Sequence, residues 1–267
     1  MEQVPIITLT TDFGYKDPFS GIMKGVIFGI NPSVNLVDVT HNISRYNVRE
    51  AALVIGMSYG DFPPLSIHIA VVDPGVGSSR RPILVATEHH FFIGPDNGVF
   101  SMVYDENADC RIFHLTAAHY FRAGRGATFH GRDIFAPVAA WFSKKYDAAN
   151  FGDLITDPVK LPIPAASRPT ATTLEGEVLY IDAFGNAITS ISEKDLDGLR
   201  GAKPNGVMRL VIKGREARLK EYYSQAEDKG LYALMNSMGH LELFVYRGNA
   251  SGEFDIKVGD TLGIMVK

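Results

Sequence analysis

The sequence predicts an α/β N-terminal domain with a mainly parallel sheet, followed by an all-β, barrel-like C-terminal domain. In the first half of the 267 residues, short β-rich segments alternate with segments whose apolar residues recur at helical spacing. In the last third, short β-rich runs are separated by Gly, Asn or Asp, with no long helix between them. A proline-rich stretch, 157–173, joins the two parts. We therefore expect domains at 1–160 and 174–267, connected by a linker at 161–173.

The elements of the first domain follow in chain order. The predicted helices are Asp17–Ile30, Asn47–Tyr59 and Phe135–Lys145, and the first ends at Asn31 because Pro32 disfavours helical backbone in the residue before it. The predicted strands are Pro5–Thr11, Val34–Val39, Leu65–Val72, Pro82–Thr87, Phe91–Gly94 and Ile112–Leu115. This alternation is typical of a parallel sheet covered by helices on its faces.

The second domain reads as a series of short strands. Only a helical turn at Lys194–Leu199 interrupts them. The predicted strands are Glu175–Asp182, Ala187–Ile191, Val207–Ile212, Leu231–Met235, Leu241–Val245 and Thr261–Val266. Short strands at this spacing indicate an antiparallel barrel or sandwich.

Composition excludes several classes of protein. Lys and Arg total 26 against 30 Asp and Glu, so the basic bias of a nucleic-acid binder is missing. The single cysteine, Cys110, cannot form an intramolecular disulfide, which agrees with a reducing compartment. The N-terminus lacks signal-peptide features, and no stretch approaches the ~20 apolar residues of a membrane span. We expect a cytoplasmic protein with no nucleic-acid or membrane partner. The eight histidines show no zinc-like spacing, and we expect no metal.

Polar residues follow several predicted strands of the first domain. Asp12 follows the first strand, Asp38 the second and Asp73 the third, and Asp96 follows the Gly94-Pro95 turn. Each of them alone could cap a helix or form a turn. Because ligands of open α/β sheets bind beyond the carboxyl ends of the strands, the set together favours a site at that edge.

Two segments of the first domain carry candidate chemistry. Asp73 and Arg80 lie seven residues apart in a glycine-containing loop, where they form either a loop salt bridge or a pair that polarises a small group. His130 stands directly before a predicted helix, whose dipole disfavours the imidazolium form. A neutral His130 suits a proton acceptor, and the alternative is a structural histidine.

In the second domain, the turn Asp182–Ala187 interrupts the β pattern. Asp182 could pair with an ammonium group, Phe184 could stack on a flat ring, and Asn186 could bond to that ring's edge. An ordinary hairpin turn is the alternative. The segment Asn236–Glu242 forms a similar polar turn.

Five ordered segments together resemble one family, the S-adenosylmethionine hydroxide adenosyltransferases, also called SAM hydrolases, which are relatives of the fluorinase and chlorinase. The segments cover nearly the whole chain. They are Thr11–Gly14, Val72–Gly77 followed by Arg80–Pro82, Gly94–Gly98, Thr128–Pro137 and Asp182–Asn186. The resemblance implies an α/β domain followed by a β-barrel, and a homotrimer that holds substrate between the N-domain of one subunit and the C-domain of the next.

The resemblance also implies an activity. It is hydrolysis of S-adenosyl-L-methionine (SAM) to adenosine and L-methionine by attack of an activated water at C5′, with no cofactor. The family's Asp–Arg–His trio maps onto Asp73, Arg80 and His130. The trio would hold or deprotonate the water, and the family pattern does not decide which member takes the proton. Halogenases carry Tyr where Asp73 stands, so the intact trio favours water over halide.

The binding residues implied by the resemblance lie in both domains. Asp12 would accept hydrogen bonds from both ribose hydroxyls, and Tyr46 would lie near the ribose and the sulfur. The residues implied for the rest of the substrate are Phe184 and Asn186 for adenine, Asp182 for the methionine ammonium, Ser237 for the carboxylate and Glu242 for the amino-acid end.

Two departures from the family pattern concern the second domain. Met238 replaces a halogenase Arg that grips the carboxylate, and Tyr246-Arg247 replaces an expected Asn-Gly near adenine. Two other functions stay open at this point. One is a halide-dependent adenosyltransferase that forms 5′-halo-adenosine, and the other is a non-catalytic adenosine-binding module.

Overall fold

The computed structural model describes residues 4–124, 126–204 and 206–267. The chain divides into two compact units, Met1–Ile163 and Pro164–Lys267. We call them the first and second unit and describe each by itself. Met1, Glu2 and Gln3, which the sequence assigns to the first domain, lie outside the described residues.

The first unit contains one seven-stranded sheet with the order β2-β1-β3-β5-β4-β6-β7. Its strands are β1 (Ile6–Thr11), β2 (Asn35–Thr40), β3 (Ile67–Val71), β4 (Pro82–Ala86), β5 (Phe91–Pro95), β6 (Arg111–Leu115) and β7 (Gly152–Ile155). The pairs β1–β2, β1–β3 and β3–β5 are parallel, whereas β4 and β7 run against their neighbours. The predicted α/β domain with a mainly parallel sheet is therefore confirmed.

Helices cover both faces of this sheet. They are α1 (Phe19–Ile30), α2 (Val48–Ser58), α3 (Ser101–Glu106) and α4 (Ala136–Phe142). One apolar cluster joins α1 and α4 to β1 and β3, and a second joins α2 and α3 to the opposite face. Side chains alternate across a strand, so β3 supplies Ile67, Ile69 and Val71 to the first cluster and Ala70 to the second.

The last helix of the first unit differs from its predicted bounds. A π-helical turn, Gly131–Phe135, precedes α4, and α4 ends at Phe142 rather than continuing to Lys145. Lys145 has φ 68°, a left-handed backbone that a helix cannot continue through. The N-terminal end of this helical segment therefore lies directly after His130.

The second unit is a closed barrel. Its strands are β8 (Ser167–Thr170), β9 (Thr173–Ile181), β10 (Ala187–Ser192), β11 (Met208–Ile212), β12 (Arg215–Leu219), β13 (Tyr232–Met235), β14 (His240–Phe244) and β15 (Thr261–Val266). The order β10-β14-β13-β12-β11-β15-β9 closes because β9 also pairs with β10, and β8 adds to β9. Only β12–β13 is parallel among the described pairs of this unit. The predicted barrel-like domain is confirmed.

Four elements of the second unit go beyond the predictions. β8 lies inside the segment predicted as a linker, and β12 was not predicted. The predicted turn Lys194–Leu199 is a helix, α5 (Glu193–Ala202), which Ser192 and Asp195 open with a capping box. A short helix, α6 (Ala250–Phe254), precedes β15.

Candidate active site

Four of the predicted site residues line one cleft of the first unit. Asp12 follows β1, Tyr46 precedes α2, Asp73 follows β3, and His130 precedes the π-helical turn. The cleft has a volume of about 410 Å³. Its lining residues are Asp12, Phe13, Asp17, Phe19, Arg45, Tyr46, Val71, Asp73, Val76, Thr128, Phe129, His130 and Gly131. Of the four carboxylates expected at this edge of the sheet, Asp12 and Asp73 line the cleft, whereas Asp38 pairs with Lys24 and Asp96 with Arg81.

Arg80 joins Asp73 to His130 at this cleft. Its Nε donates to Asp73 Oδ1 at 3.1 Å, and its Nη2 donates both to Asp73 Oδ2 and, at 2.9 Å, to His130 Nδ1. The side chains of Arg80 and Asp73 are only 7% and 5% exposed. The contact is thus a buried, bidentate pair rather than the weak loop salt bridge that the spacing alone allowed.

One donor of this guanidinium has no partner. Arg80 Nη1 is buried and makes no hydrogen bond within the described parts of the chain. Leaving a buried charged donor unpaired is costly, and such groups concentrate at functional sites. The arrangement therefore suits an oxygen ligand held beside Asp73 and His130.

The loop between Asp73 and Arg80 is shaped by close backbone contacts. Gly77 has φ 81°, and a Cβ atom there would lie 2.6 Å from the Ala127 carbonyl oxygen, so only glycine fits. Ser78 Oγ donates to the Gly75 carbonyl at 2.7 Å and accepts the Arg80 N–H at 3.2 Å. These contacts set the loop against the segment that carries His130.

The charge states in this group follow from burial and donor chemistry. Burial raises the pKa of the Asp73 carboxyl, and the charge and hydrogen bonds of Arg80 oppose that shift. Arginine can only donate, so His130 Nδ1 accepts from Arg80 and the ring proton lies on Nε2. This arrangement is compatible with the neutral His130 that the sequence predicts, and that charge state stays a prediction.

Asp12 lies beside Tyr46 on the other side of the cleft. Its Oδ2 accepts the Tyr46 backbone N–H at 2.9 Å, and its Oδ1 has no hydrogen bond within the described residues. Tyr46 adopts φ 65° and its side chain is 70% exposed. One carboxylate oxygen is thus fixed and the other remains available to a ligand.

An aromatic wall completes this cleft, and the sequence analysis did not identify it. Phe13, Phe19 and Phe129 form mutual edge-to-face contacts with ring centroids 5.5–5.8 Å apart. Phe13 directly follows Asp12, and Phe129 directly precedes His130. Both of these polar residues were candidates from the sequence. The position of the two phenylalanines next to those residues is the signal that could have found them.

Three predicted residues of the second unit line a separate cleft of about 440 Å³. Its lining residues are Asp182, Phe184, Asn186, Tyr223, Val245, Tyr246, Arg247 and Gly248. Asp182 Oδ1 accepts the backbone N–H groups of Phe184 and Asn186 at 2.9 and 2.8 Å. The carboxylate therefore also builds its own turn, as the hairpin alternative expected. The Phe184 ring is 76% exposed.

The last two predicted residues lie elsewhere in the second unit. Glu242 is 3% exposed in β14 and accepts from Tyr223 Oη at 2.7 Å and Asn236 Nδ2 at 3.2 Å. Burial raises the pKa of Glu242, and the negative charge of Asp182 adds to the shift. Ser237 is exposed in the turn between β13 and β14. Neither is among the described residues lining the cleft, whereas Tyr223, which the sequence analysis missed, connects Glu242 to it.

Within residues 4–124, 126–204 and 206–267, no group of three or more His, Cys, Asp or Glu side chains is placed to hold a metal ion. Independence from metals and cofactors stays a prediction. None of the described helices is long and apolar enough to cross a membrane.

Family models account for most of the chain. The model of the SAM hydroxide adenosyltransferase N-terminal domain matches residues 7–152, and the model of the corresponding C-terminal domain matches residues 176–263. The chain belongs to this family. The resemblance carried by the five sequence segments is therefore confirmed.

Individual relatives match over nearly their full length. The (R)-S-adenosyl-L-methionine hydrolase of Salinispora tropica is 33% identical, covering 99% of both chains. That of Methanocaldococcus jannaschii is 31% identical, covering 97% of this chain and 95% of the relative. A crystal structure of an uncharacterized conserved protein from Thermotoga maritima has a TM-score of 0.89 at 33% identity, covering 97% of this chain and 99% of that one.

Halogen-transferring relatives are more distant. A fluorinase from an Actinoplanes species is 23% identical to this chain and covers 97% of both. The difference in identity sets this chain nearer to the proteins named hydrolases.

Proposed function

We propose that the protein hydrolyses SAM to adenosine and L-methionine. The observation that carries the proposal is the buried Arg80, which bonds to both Asp73 and His130, the two trio members that line the first-unit cleft, and which keeps one donor, Nη1, without a partner among the described residues. The printed names of the similar relatives support the same activity. A cleft that only bound a nucleoside would not call for three mutually bonded, ionisable side chains.

The reaction is a displacement at C5′ of the adenosyl group. A water oxygen forms a bond to C5′ as the C5′–S bond breaks, and the electron pair of that bond stays on sulfur. The sulfonium leaves as the neutral thioether of methionine, so no general acid is required. The water proton passes to a base. Because opposite charges neutralise each other along this path, a site that excludes water favours it.

Each member of the trio has a distinct task in this proposal. Arg80 Nη1 donates to the attacking oxygen and stabilises its negative charge. His130 donates from Nε2 to the same oxygen, because its Nδ1 already accepts from Arg80. Asp73 is then the base, and burial strengthens it by raising its pKa.

Substrate binding draws on both units. Asp12 accepts hydrogen bonds from the ribose hydroxyls through Oδ1, which has no partner among the described residues. Tyr46 covers the ribose and the sulfur. Phe184 stacks on adenine and Asn186 bonds to the edge of its ring. Asp182 pairs with the methionine ammonium and Ser237 with its carboxylate. Glu242 supports the amino-acid end through Tyr223.

We further propose that the chain forms a homotrimer. The first unit of one subunit and the second unit of the next would together enclose one substrate molecule. The resemblance to the family supports this assembly, and so does the location of the nucleophile-holding and adenine-holding residues in different units. The protein would act in the cytoplasm, as its lone cysteine suggests.

Hydrolysis in ¹⁸O-labelled water tests the activity. We expect mass spectrometry to find one ¹⁸O atom in the 5′-hydroxyl of adenosine, together with unlabelled methionine. A 5′-halo-adenosine formed only when chloride or fluoride is present would instead identify a halide-dependent adenosyltransferase. Adenosine binding without turnover would identify a binding module.

Mixing two impaired variants at a SAM concentration well below their KM tests the shared site. Asp73→Asn impairs the first unit by lowering kcat, and Asp182→Ala impairs the second by raising KM. If neighbouring subunits share each site, random mixing restores about one quarter of the sites, since each half is intact with a chance of about one half. Light scattering should give three times the mass of one chain. A mixture without recovered activity would contradict the shared site.

A further inference from the structure

A series of four polar side chains, of which the two nearest Asp12 are buried, leads to the residue before Asp12, and no step of the proposed reaction uses it. It begins at Lys24 in α1, whose Nζ donates to Asp38 Oδ2 at 2.6 Å. Asp38 Oδ1 lies 3.0 Å from His41 Nε2, and His41 Nδ1 lies 2.8 Å from Thr11 Oγ1. Thr11 directly precedes Asp12, so the series ends at the carboxylate assigned to the ribose.

The donors in this series can be assigned. Asp38 Oδ1 and His41 Nε2 are within ion-pair distance but make no hydrogen bond among the described residues, and a proton on Nε2 is the state that complements the neighbouring carboxylate. In the neutral imidazole Nδ1 then accepts, and the Thr11 hydroxyl donates to it. This leaves Thr11 Oγ1 to accept the Phe13 backbone N–H at 3.3 Å. Burial acts to raise the pKa of Asp38, but Lys24 and His41 outweigh it and keep that pKa below its usual value.

Backbone hydrogen bonds attach the same segment to the loop after β2. The Gly14 N–H donates to the His41 carbonyl at 2.7 Å, and the Ile43 N–H donates to the Thr11 carbonyl at 3.3 Å. His41 and Thr11 are both 0% exposed, so water cannot replace these partners. Thr11, directly before Asp12, and Gly14, two residues after it, are both hydrogen-bonded to His41 or its loop. These bonds fix the backbone on either side of Asp12.

We propose that His41 is a positioning residue for the ribose. As the neutral Nε2–H tautomer it fixes the Thr11 hydroxyl, which fixes the Phe13 amide and so the direction of the Asp12 carboxylate between them. Thr11 is the link through which His41 acts. This inference rests on the proposed function, because it takes Asp12 as the acceptor of the ribose hydroxyls.

The chain contains a matched control for this contact. At the other end of β1, Thr8 Oγ1 lies 2.9 Å from His68 Nδ1, and both side chains are buried. Thr8→Val and Thr11→Val therefore remove the same kind of threonine–histidine hydrogen bond from the same strand. Only Thr11 adjoins Asp12.

The experiment measures the dissociation constants of adenosine and 2′,3′-dideoxyadenosine by calorimetry on the full chain. We expect Thr11→Val to weaken adenosine binding about five- to tenfold, as the loss of one to two hydrogen bonds predicts. Binding of the dideoxy compound, which lacks the hydroxyls, should change less than about twofold. Thr11→Ser, which keeps the hydroxyl, should restore adenosine binding. Thr8→Val should lower the melting temperature to a similar extent and leave both ligands unaffected.

A second pair of variants distinguishes the loss of Asp12 positioning from a general loss of folded structure. In an Asp12→Ala background, Thr11→Val should have no further effect on adenosine binding, because the group it positions is gone. Equal weakening of both ligands, or equal effects of Thr8→Val and Thr11→Val, would overturn the inference. Normal adenosine binding by Thr11→Val would overturn it and leave the proposed function standing. If the unsubstituted protein neither binds adenosine nor cleaves SAM, the proposed function fails and this inference fails with it.

Discussion

The two units hold their candidate site residues by contacts of different range. In the first unit, Arg80 bonds to His130, 50 residues away, and Asp12 to Tyr46, 34 residues away. In the second unit, Asp182 bonds to backbone groups no more than four residues along the chain. The first arrangement exists only in the folded sheet, whereas the second is a local turn.

This difference indicates a division of labour. Long-range, buried contacts hold the trio in one geometry, which a displacement reaction requires of the groups around its nucleophile. A local turn leaves the Phe184 ring exposed and adaptable, which suits binding of a flat ring. We therefore expect substitutions in the first unit to lower kcat and substitutions in the second to raise KM.

The largest effect should come from Asp73→Asn. The variant keeps the shape of the side chain but removes the base and leaves the Arg80 cation buried without its counter-charge. We expect kcat to fall by about 10²–10⁴, with KM changed by less than about threefold. Steady-state release of adenosine measures both constants.

The control for this variant is Asp157→Asn, which removes an acid paired with Arg81. The Asp157 side chain is 76% exposed, so its loss should leave kcat unchanged. Full activity of Asp73→Asn would remove the trio from the reaction. An increase in KM alone would reverse the division between the units.

Much of the fold was accessible from the sequence, and the exceptions have physical causes. Alternating β-rich and helix-like segments predicted the first six strands, β1–β6, in chain order. The sequence did not predict β8 or β12, because these strands have almost no buried residues. None of the four residues of β8 is buried, and in β12 only Ala217 is buried. Strands of this kind are specified by pairing with their neighbours rather than by their own apolar pattern.

The site shows the same limit. The Asp73–Arg80 pair could be predicted because its spacing fits one loop. The contact of Arg80 with His130 could not, since it depends on how the loop packs on a segment 50 residues away. For the same reason the local sequence did not reveal that Glu242 is buried against Tyr223.

The second expected effect concerns stability in acid. His68 Nε2 lies 3.3 Å from His90 Nδ1, and burial together with His90 lowers the pKa of His68 to about 3. In the unfolded chain the ring titrates near 6.5. Between those values only the unfolded chain binds the proton. The free energy of unfolding should therefore fall by about 1.4 kcal/mol per pH unit as the pH drops below about 6.5.

Urea unfolding at pH 7, 6 and 5 measures this slope. His68→Asn should remove about 1.4 kcal/mol per pH unit of it, because Asn does not titrate. His89→Asn changes a ring that is 63% exposed and should leave the slope intact. The buried histidines of the described chain all lie in the first unit. An unchanged slope in His68→Asn would show that His68 does not set the acid stability of the protein.

The smallest effect should come from Phe184→Ala in the second unit. Its exposed ring contributes little to folding, so the melting temperature should stay within about 1 °C of the original. Loss of an aromatic stacking partner is worth about 0.5–1.5 kcal/mol, which corresponds to a rise in KM of about two- to tenfold at unchanged kcat.

Tyr222→Ala is the matched control for this variant. Tyr222 is 54% exposed in the same unit and is not among the described residues of the Phe184 cleft. It should therefore leave both constants unchanged, while Phe184→Trp should keep KM near its original value. A fall in kcat of Phe184→Ala comparable with that of Asp73→Asn would mean that the ring also aligns C5′ with the nucleophile. The local turn would then contribute to the chemistry as directly as the buried trio does.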